Sequence, residues 1–305
     1  MTPKNSPDNH ASKNNKTSNK GPDFIGVGPE KTGTTWIYKH LNTHPETRCT
    51  PVKELRYFWE NLAFPGESFL HRLLHRKSWH NPQYRAYFRQ RFRTYLRQPG
   101  TLRDTRRLAW DLKYLFARHD DNWYLSSFDN TPGCISGEVS PQYFFLPEAE
   151  VARICELLPD TKFIISLRYP PEWAWSFARM MVRIRELENS EEAIEGFIRE
   201  LKEEKSFAKS LQIWKKYVPE DRLKIVYFDQ LRDQPQELFN EICDFLGIQP
   251  MTKELAQFKA AVNKGKKREI PDRFRTMLAK GWQDEIAALD RALPDLPEAW
   301  RTRKF

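Results

Sequence analysis

The stretch from Asp23 to Trp36 constrains the fold more than any other part of this sequence. Residues 24–27 are apolar or glycine and predict a short buried strand, residues 28–33 predict a tight loop, and a helix is expected from Thr34 onward. Where such a loop meets a helix, unpaired backbone N–H groups and the positive end of the helix dipole converge on one point. The stretch therefore predicts an anion site, and phosphate is the expected guest.

The spacing of residues in this loop narrows the chemistry. From Gly28 the loop follows the frame Gly-x-x-x-x-Gly-Lys-[Ser/Thr] of a nucleotide-binding P-loop, but Thr34 stands where that motif keeps its lysine. The only lysine of the loop is Lys31, which can reach the oxygen that bridges to a leaving group. Thr34 and Thr35 can supply hydroxyls and N–H donors to a terminal 5′-phosphate. An ordinary strand-loop-helix turn with an exposed lysine is the alternative interpretation.

These residues resemble the 5′-phosphosulfate loop, Lys-x-Gly-Thr-Thr, of the sulfotransferases that use 3′-phosphoadenosine 5′-phosphosulfate (PAPS). The resemblance implies that Lys31 is catalytic, as a cation at the bridging oxygen where negative charge develops. The nucleotide-binding residues that it implies in this loop are Lys31, Thr32, Gly33, Thr34, Thr35 and Trp36.

A second phosphate site is expected where a later strand meets its helix. Arg168 follows the apolar run 162–167, at the carboxyl end of a predicted strand, where ligands bind in open α/β sheets. Ser176 lies two turns into the helix that Pro170 opens, so that a guanidinium fork and a hydroxyl can hold one phosphate. The same sulfotransferases have an arginine eight residues before a serine at their 3′-phosphate site, which implies that role for Arg168 and Ser176.

A basic loop near the C-terminus is a third candidate. The segment 262–268 reads Val-Asn-Lys-Gly-Lys-Lys-Arg. Family members close a basic, glycine-containing loop over the 3′-phosphate, which implies that Lys264, Gly265 and Lys266 bind the nucleotide. A solvated basic loop is the alternative.

Glu54 is the candidate general base. The segment Lys-Glu-Leu-Arg-Tyr-Phe from Lys53 resembles Lys-Glu-x-His-Phe-Phe of the heparan sulfate sulfotransferase group, where the glutamate is the base. Arg56 replaces the histidine, and its charge is expected to lower the pKa of Glu54. A surface Lys-Glu pair is one alternative, and a base at His40 or His44 is another.

The segment from Glu138 to Tyr143 resembles Glu-Lys-[Ser/Thr]-Pro-x-Tyr of the glycan sulfotransferases. Val139 occupies the lysine position, which removes one expected active-site cation. Glu138 and Ser140 are expected to line the site.

Strands alternating with helices predict a three-layer, P-loop-type α/β domain with a mostly parallel central sheet flanked by helices. We expect a disordered polar tail at residues 1–22 and a single domain at 23–305, within which 61–130 forms a basic, helical, acceptor-side insertion. One final helix is predicted to carry Phe274 through Leu289 on one face.

The net charge of +9 is concentrated in one segment. Between Ser68 and Arg103 there is no Asp or Glu, and nine Lys and Arg residues equal the whole excess. Apolar residues at helical spacing from Tyr84 to Leu96 predict an amphipathic helix with a basic outer face. Core packing with solvated arginines and direct binding of an anionic or sugar-bearing acceptor both fit this pattern, whereas no nucleic-acid module accompanies the charge.

Four separated cysteines indicate no disulfide framework or zinc site. No apolar run approaches the roughly 18 residues of a membrane span, so a soluble, cytoplasmic protein is expected. The sequence predicts transfer of the PAPS sulfonate to an acceptor hydroxyl, or an amine, without a metal; a carbohydrate or glycolipid is one such acceptor. The rivals are a P-loop kinase or nucleotidase and a non-catalytic protein that binds nucleotide or polyanion.

Overall fold

The computed structural model describes residues 21–63, 82–129, 131–185, 191–251 and 270–303. Within them, five strands form one sheet of order β2-β3-β1-β4-β5. The strands are β1 (Phe24–Gly26), β2 (Thr47–Cys49), β3 (Ile135–Val139), β4 (Lys162–Leu167) and β5 (Leu223–Tyr227). All four pairings are parallel, and Ile25 of β1 registers with Glu138 on one side and Phe163 on the other. The predicted parallel sheet is confirmed.

The helices connect the strands as parallel pairing requires. They are α1 (Thr34–Thr43), α2 (Tyr57–Ala63), α3 (Pro82–Arg97), α4 (Thr105–Phe116), α5 (Asp121–Leu125), α6 (Glu148–Leu157), α7 (Pro170–Ile184), α8 (Glu191–Glu204), α9 (Phe207–Tyr217), α10 (Phe228–Asp233), α11 (Pro235–Leu246), α12 (Asp272–Gly281), α13 (Gln283–Ala292) and α14 (Glu298–Thr302). Short 3₁₀ turns cover Pro99–Arg103, Pro141–Phe145 and Glu220–Arg222.

Strand side chains alternate between two apolar layers, as the two-residue period of a strand requires. Phe24 and Ile164 pack with α1 and α11 on one face of the sheet. Ile25 and Phe163, their neighbours in sequence, pack on the other face with residues of α6, α7 and α9. The sheet is therefore covered on both faces, and the predicted three-layer architecture is confirmed.

The predicted C-terminal helix is wrong in one respect. The structure divides it into α12 and α13 at Trp282, whose backbone leaves the helical region at φ −116° and ψ 8°. Phe274, Leu278 and Leu289 are nevertheless buried, as their spacing predicts. The break lets both helices pack their apolar sides on the core without sharing one axis.

Helix α3 confirms the predicted helix but not a continuous buried face. Tyr84 and Tyr87 are buried, whereas Phe92 and Leu96 are 56% and 66% exposed. The tyrosine end of α3 is fastened to α4 through Asp111, a buried carboxylate. Tyrosine, rather than periodicity alone, therefore decides which end of α3 packs.

Asp111 is the charged centre of the basic helices. It is 1% exposed and pairs with Arg91 and with Arg107, at 3.1 Å for the second. Tyr87 and Tyr95 also donate their hydroxyls to it. One buried carboxylate thus pairs with two arginines, while Arg89, Arg93 and Arg97 remain exposed on α3.

The last two residues of the predicted polar tail are described in the structure. Gly21 and Pro22 are buried, and the Thr161 hydroxyl donates to the Pro22 carbonyl at 2.6 Å. Residues 1–20 of the predicted tail lie outside the described residues. Over the part of the chain described here, no helix has the length and apolarity to span a membrane, and no group of His, Cys, Asp and Glu side chains is arranged to hold a metal ion.

Candidate active site

The loop after β1 is shaped by its glycines. A Cβ at Gly28 would lie 2.0 Å from the Ser166 Oγ and 2.6 Å from the Ser166 carbonyl oxygen, so only glycine fits beside β4. Gly33 is the N-cap of α1 with φ 101°, and it brings no side chain to cap the helix. Among the described residues, the Thr34 and Thr35 N–H groups that open α1 have no capping side chain, whereas the Trp36 N–H donates to the Gly33 carbonyl at 2.8 Å; the first two N–H groups therefore suit an anion.

The six loop residues predicted to bind nucleotide divide into two groups. Lys31, Gly33 and Thr35 are partly exposed, whereas Thr32, Thr34 and Trp36 are buried. The Thr32 hydroxyl is engaged with the Pro29 carbonyl and the Ser166 hydroxyl, each at 2.6 Å. The Thr32 hydroxyl is therefore already used inside the protein, and its side chain is not free to bind a nucleotide.

Trp36 belongs to the core. Its indole ring packs against His40 at 3.9 Å and against Phe239 at 6.0 Å between ring centroids. Trp36 thus helps to pack α1 on α11.

Arg168 connects the two predicted phosphate sites. Its guanidinium donates to the Lys31 carbonyl at 3.3 Å and to Glu172 at 3.2 Å, and it lies over the Phe228 ring at 4.5 Å. Burial lowers the pKa of Arg168, although Glu172 opposes this shift. An incoming phosphate would meet an arginine that is already oriented and would compete with Glu172 for it.

Positive charge surrounds Lys31. Burial lowers the pKa of the Lys31 ammonium, and Arg168, Arg183 and Arg179 add to that shift by repulsion. Arg179 and Arg183 follow Ser176 on α7 by three and seven residues, which places all three on one helix face. Sequence reasoning missed these two arginines, although their spacing from Ser176 could have revealed them.

Ser176 lies on α7 as predicted and is partly exposed. Within the described ranges its hydroxyl makes no hydrogen bond, so it can serve a ligand. Lys264, Gly265 and Lys266 lie outside the described residues, and their proposed contact with the nucleotide stays a prediction.

Glu54 is held by three side chains. Lys53 and Arg56 form ion pairs with its carboxylate, the second at 2.8 Å, and Gln142 donates to it at 3.1 Å. Burial by itself would raise the pKa of Glu54, but Lys53 and Arg56 outweigh burial and hold it below its ordinary value. Glu54 is thus an ionised, oriented carboxylate, in agreement with the expected effect of Arg56.

Two polar side-chain atoms beside Glu54 are buried without a hydrogen-bond partner among the residues described. In the described part of the chain, Arg56 Nε and Gln142 Oε1 are buried and make no hydrogen bond. One is a donor and the other an acceptor, since Gln142 uses its amide nitrogen on Glu54. Both atoms are enclosed by protein, so the arrangement around Glu54 leaves one donor and one acceptor unsatisfied within those residues.

Glu30 is a second carboxyl near Glu54 that the motifs did not indicate. Burial raises the pKa of Glu30, and the negative charge of Glu54 adds to the rise. The Glu30 carbonyl accepts a hydrogen bond from the Trp173 indole at 2.8 Å, which ties the loop to α7. The charge of Glu54 thus acts on a residue of the Lys31 loop, which agrees with a Glu54 segment close to that loop.

Glu138 and Ser140 lie behind the site instead of lining it, because both are fully buried. Glu138 accepts hydrogen bonds from the Leu55 backbone N–H at 3.1 Å, from Tyr124 at 2.7 Å and from Ser140. Burial raises the pKa of Glu138, and the bonds from Ser140 and Tyr124 oppose the rise.

The two alternative histidines are structural. His40 is 1% exposed, its Nδ1 bonds the Trp36 carbonyl at 2.7 Å, and burial lowers its pKa to about 4. His44 uses both ring nitrogens, one with the Gln249 carbonyl and one with the Glu46 N–H. Both rings pack near Phe239 of α11, and these ring nitrogens serve internal contacts, so neither is placed as a base.

Comparison with known proteins defines the class. A family model described as "Sulfotransferase family" matches residues 22–253. The chain belongs to the sulfotransferase family, whose typical features include a P-loop fold and PAPS. A comparison with curated proteins gave no significant match.

Solved structures agree on the fold. A sulfotransferase from Alicyclobacillus acidocaldarius is similar with a TM-score of 0.61 and 21% identity, covering 92% of this chain and 98% of that one. The sulfotransferase domain of a Synechococcus olefin synthase gives a TM-score of 0.50 and 19% identity, covering 91% and 97%. At these identities the likeness shows a shared architecture.

Proposed function

We propose that this sulfotransferase transfers the sulfonate of PAPS to an acceptor hydroxyl. The observation that carries the proposal is the hydrogen bond from Arg168 to the Lys31 carbonyl at 3.3 Å. It joins the 5′-phosphosulfate loop to the strand end expected to hold the 3′-phosphate, so one nucleotide with anionic groups at both ends fits across them. The glycine cradle at Gly28 and the uncapped start of α1 fit the same guest.

The side chains divide the chemistry between them. When bound, PAPS supplies an activated sulfonate on a phosphate leaving group. Glu54 takes the proton of the acceptor hydroxyl as the new S–O bond forms. Lys31 stabilises the negative charge on the phosphate oxygen as the old S–O bond breaks in line. Arg168 and Ser176 hold the 3′-phosphate, and Lys264 to Lys266 close over it.

The acceptor that best fits is sugar-bearing or anionic. On α3, Arg85, Arg89, Arg93 and Arg97 recur every four residues, a spacing at which like charges repel by about 0.2–0.5 kcal/mol per pair. An anionic acceptor would relieve that repulsion, which supports the acceptor-side role of residues 61–130.

Calorimetric titration separates this proposal from its rivals. We expect adenosine 3′,5′-bisphosphate to bind without Mg²⁺ and more tightly than ATP, and Arg168→Ala to remove the preference by weakening the 3′-phosphate contact. Tighter binding of Mg·ATP would favour a kinase and contradict the proposal. Sulfate transfer from PAPS to a panel of glycans, lipids, phenols and peptides then tests the acceptor; exclusive use of neutral phenols would overturn the sugar-bearing class.

A further inference from the structure

Glu138 is a buried carboxylate that the transfer chemistry does not use. It stands near the end of β3, is 0% exposed, and is surrounded by hydrogen-bond donors on both oxygens. Oε1 accepts from Tyr124 at 2.7 Å and from Tyr143 at 3.2 Å. Oε2 accepts from the Leu55 N–H at 3.1 Å and from the Ser140 hydroxyl. Burying a carboxylate is costly, so its retention here calls for a reason.

The two oxygens face different parts of the molecule. Oε1 meets tyrosines of the core, whereas Oε2 meets the segment that carries Glu54. Ser140 extends the second contact, because its hydroxyl oxygen also accepts from the Arg56 N–H at 3.3 Å and its own N–H donates to Gly26 at 2.9 Å. Glu138 and Ser140 therefore join residues 54–56 to the strand that leads into the Lys31 loop.

The segment that they hold has an unfavourable backbone. Glu54 and Arg56 have φ values of 67° and 59°, in the left-handed region that non-glycine residues seldom adopt. Such a conformation persists only where surrounding contacts determine it. Leu55 lies between the two, and its N–H is bound by Glu138.

We propose that Glu138 is a positioning residue that acts through Glu54. Its Oε2 fixes the backbone of residues 54–56 and so sets the Glu54 carboxylate at the Lys31 loop. This inference rests on the proposed function, since it supposes that Glu54 is the base. It assigns to the Glu-x-Ser segment a supporting role under the site.

The test compares substitutions on the two sides of this carboxylate. Glu138→Leu removes the acceptor of the Leu55 N–H, and we expect kcat to fall by about 10²-fold, the scale of a small misplacement of a catalytic group. Glu138→Gln should retain most of the activity, because its amide oxygen can face Leu55 while its NH₂ donates to the tyrosine hydroxyls. Tyr124→Phe is the matched control: it removes a bond to Oε1, leaves Oε2 its contacts with the Leu55 N–H and Ser140, and should leave kcat near wild type.

A second measurement separates positioning from a loss of folding. In a Glu54→Gln background, Glu138→Leu should lower kcat little further, because a residue that acts through Glu54 has nothing left to act on. Binding of adenosine 3′,5′-bisphosphate should be unchanged within about twofold, the experimental scatter expected for an independent site. An equal fall of kcat in both backgrounds, or an equal fall in Tyr124→Phe, would overturn the proposal.

The proposal can be judged apart from the proposed function. A ¹³C NMR titration of the Glu54 carboxyl needs no acceptor, and we expect Glu138→Leu to raise its pKa as the contacts with Lys53 and Arg56 loosen. If wild type binds no bisphosphate, the proposed function fails while this titration still decides the placement of Glu54. If Glu138→Leu does not fold, Ser140→Ala can be used in its place, and we expect a smaller rise in the pKa of Glu54. An unchanged titration would contradict the inference.

Discussion

The Arg168 guanidinium donates a hydrogen bond to the Lys31 carbonyl, 3.3 Å away and 137 residues earlier in the sequence. Lys31 has a φ of 72°, which turns its carbonyl and side chain in directions that a helical or extended residue would not reach. The arginine therefore stabilises the loop conformation as well as offering charge to a ligand. Ligand binding at the Lys31 loop is therefore expected to order Arg168, and ligand binding at Arg168 is expected to order the loop.

Replacing Lys31 with alanine should lower kcat by about 10²–10³-fold, because charge on the departing phosphate would lose its counter-charge. The side chain makes no hydrogen bond in the described chain, so the melting temperature should stay near that of wild type. Lys39→Ala, on the exposed side of the following helix, is the matched control. Steady-state rates of sulfate transfer measure both, and equal rates for Lys31→Ala and wild type would remove Lys31 from the mechanism.

Replacing Arg56 with leucine should move the acid limb of the pH–rate profile to higher pH. Arg56 helps to hold the pKa of Glu54 below its ordinary value, so its removal raises that pKa and protonates the base sooner as pH falls. The ion pairs of Glu54 likewise stabilise the fold above its unfolded pKa and lose that contribution as pH falls through the folded pKa. Arg56→Lys should keep the wild-type limb; a limb at the same pH in Arg56→Leu would indicate another base.

Thr32→Val should destabilise the fold by about 1–3 kcal/mol, the cost of leaving buried polar partners unsatisfied. Valine fills the same space but cannot bond the Pro29 carbonyl or the Ser166 hydroxyl. Thr43→Val, at the exposed C-terminal end of α1, should change stability by less than about 0.5 kcal/mol. Urea unfolding measures both, and equal midpoints would show that the Thr32 hydroxyl contributes nothing.

Asp111→Ala should destabilise the protein by about 3–5 kcal/mol, since Arg91 and Arg107 would be left without their buried counter-charge. Asp104→Ala removes only the cap on the Arg107 N–H at 3.0 Å and should cost about 1 kcal/mol. Urea unfolding of the two variants separates the stability contributed by the buried Asp111 ion pairs from that contributed by the Asp104 cap of α4. A similar small loss for both would mean that α3 is not fastened through Asp111.

Much of the fold was predictable because each element has a local signal. The apolar run before Arg168 predicts β4 with its observed bounds, and Gly247, in the left-handed conformation, ends α11 as a glycine commonly does. The Lys31 loop was predictable for the same reason, since its glycines and spacing are contiguous.

What the sequence did not reveal depends on contacts between distant segments. Glu138 is buried against Tyr124 and the Leu55 N–H, which lie in separate segments of the chain. No local sequence pattern therefore predicts its burial. The raised pKa of Glu30 follows from enclosure and from Glu54, which lies on another connection. The exposure of Phe92 likewise depends on which neighbours cover α3.

The left-handed backbone conformations of Glu54 and Arg56 lower the stability of the fold, whereas their side chains are needed for the proposed activity. Glycine adopts such a φ without steric cost, so Arg56→Gly removes an unfavourable backbone term while deleting a partner of the carboxylate. A selection for thermal resistance alone would drift toward glycine here, and a selection for turnover would restore the charged pair. Directed evolution of this protein for stability or for turnover would therefore be expected to change residues 54–56 first.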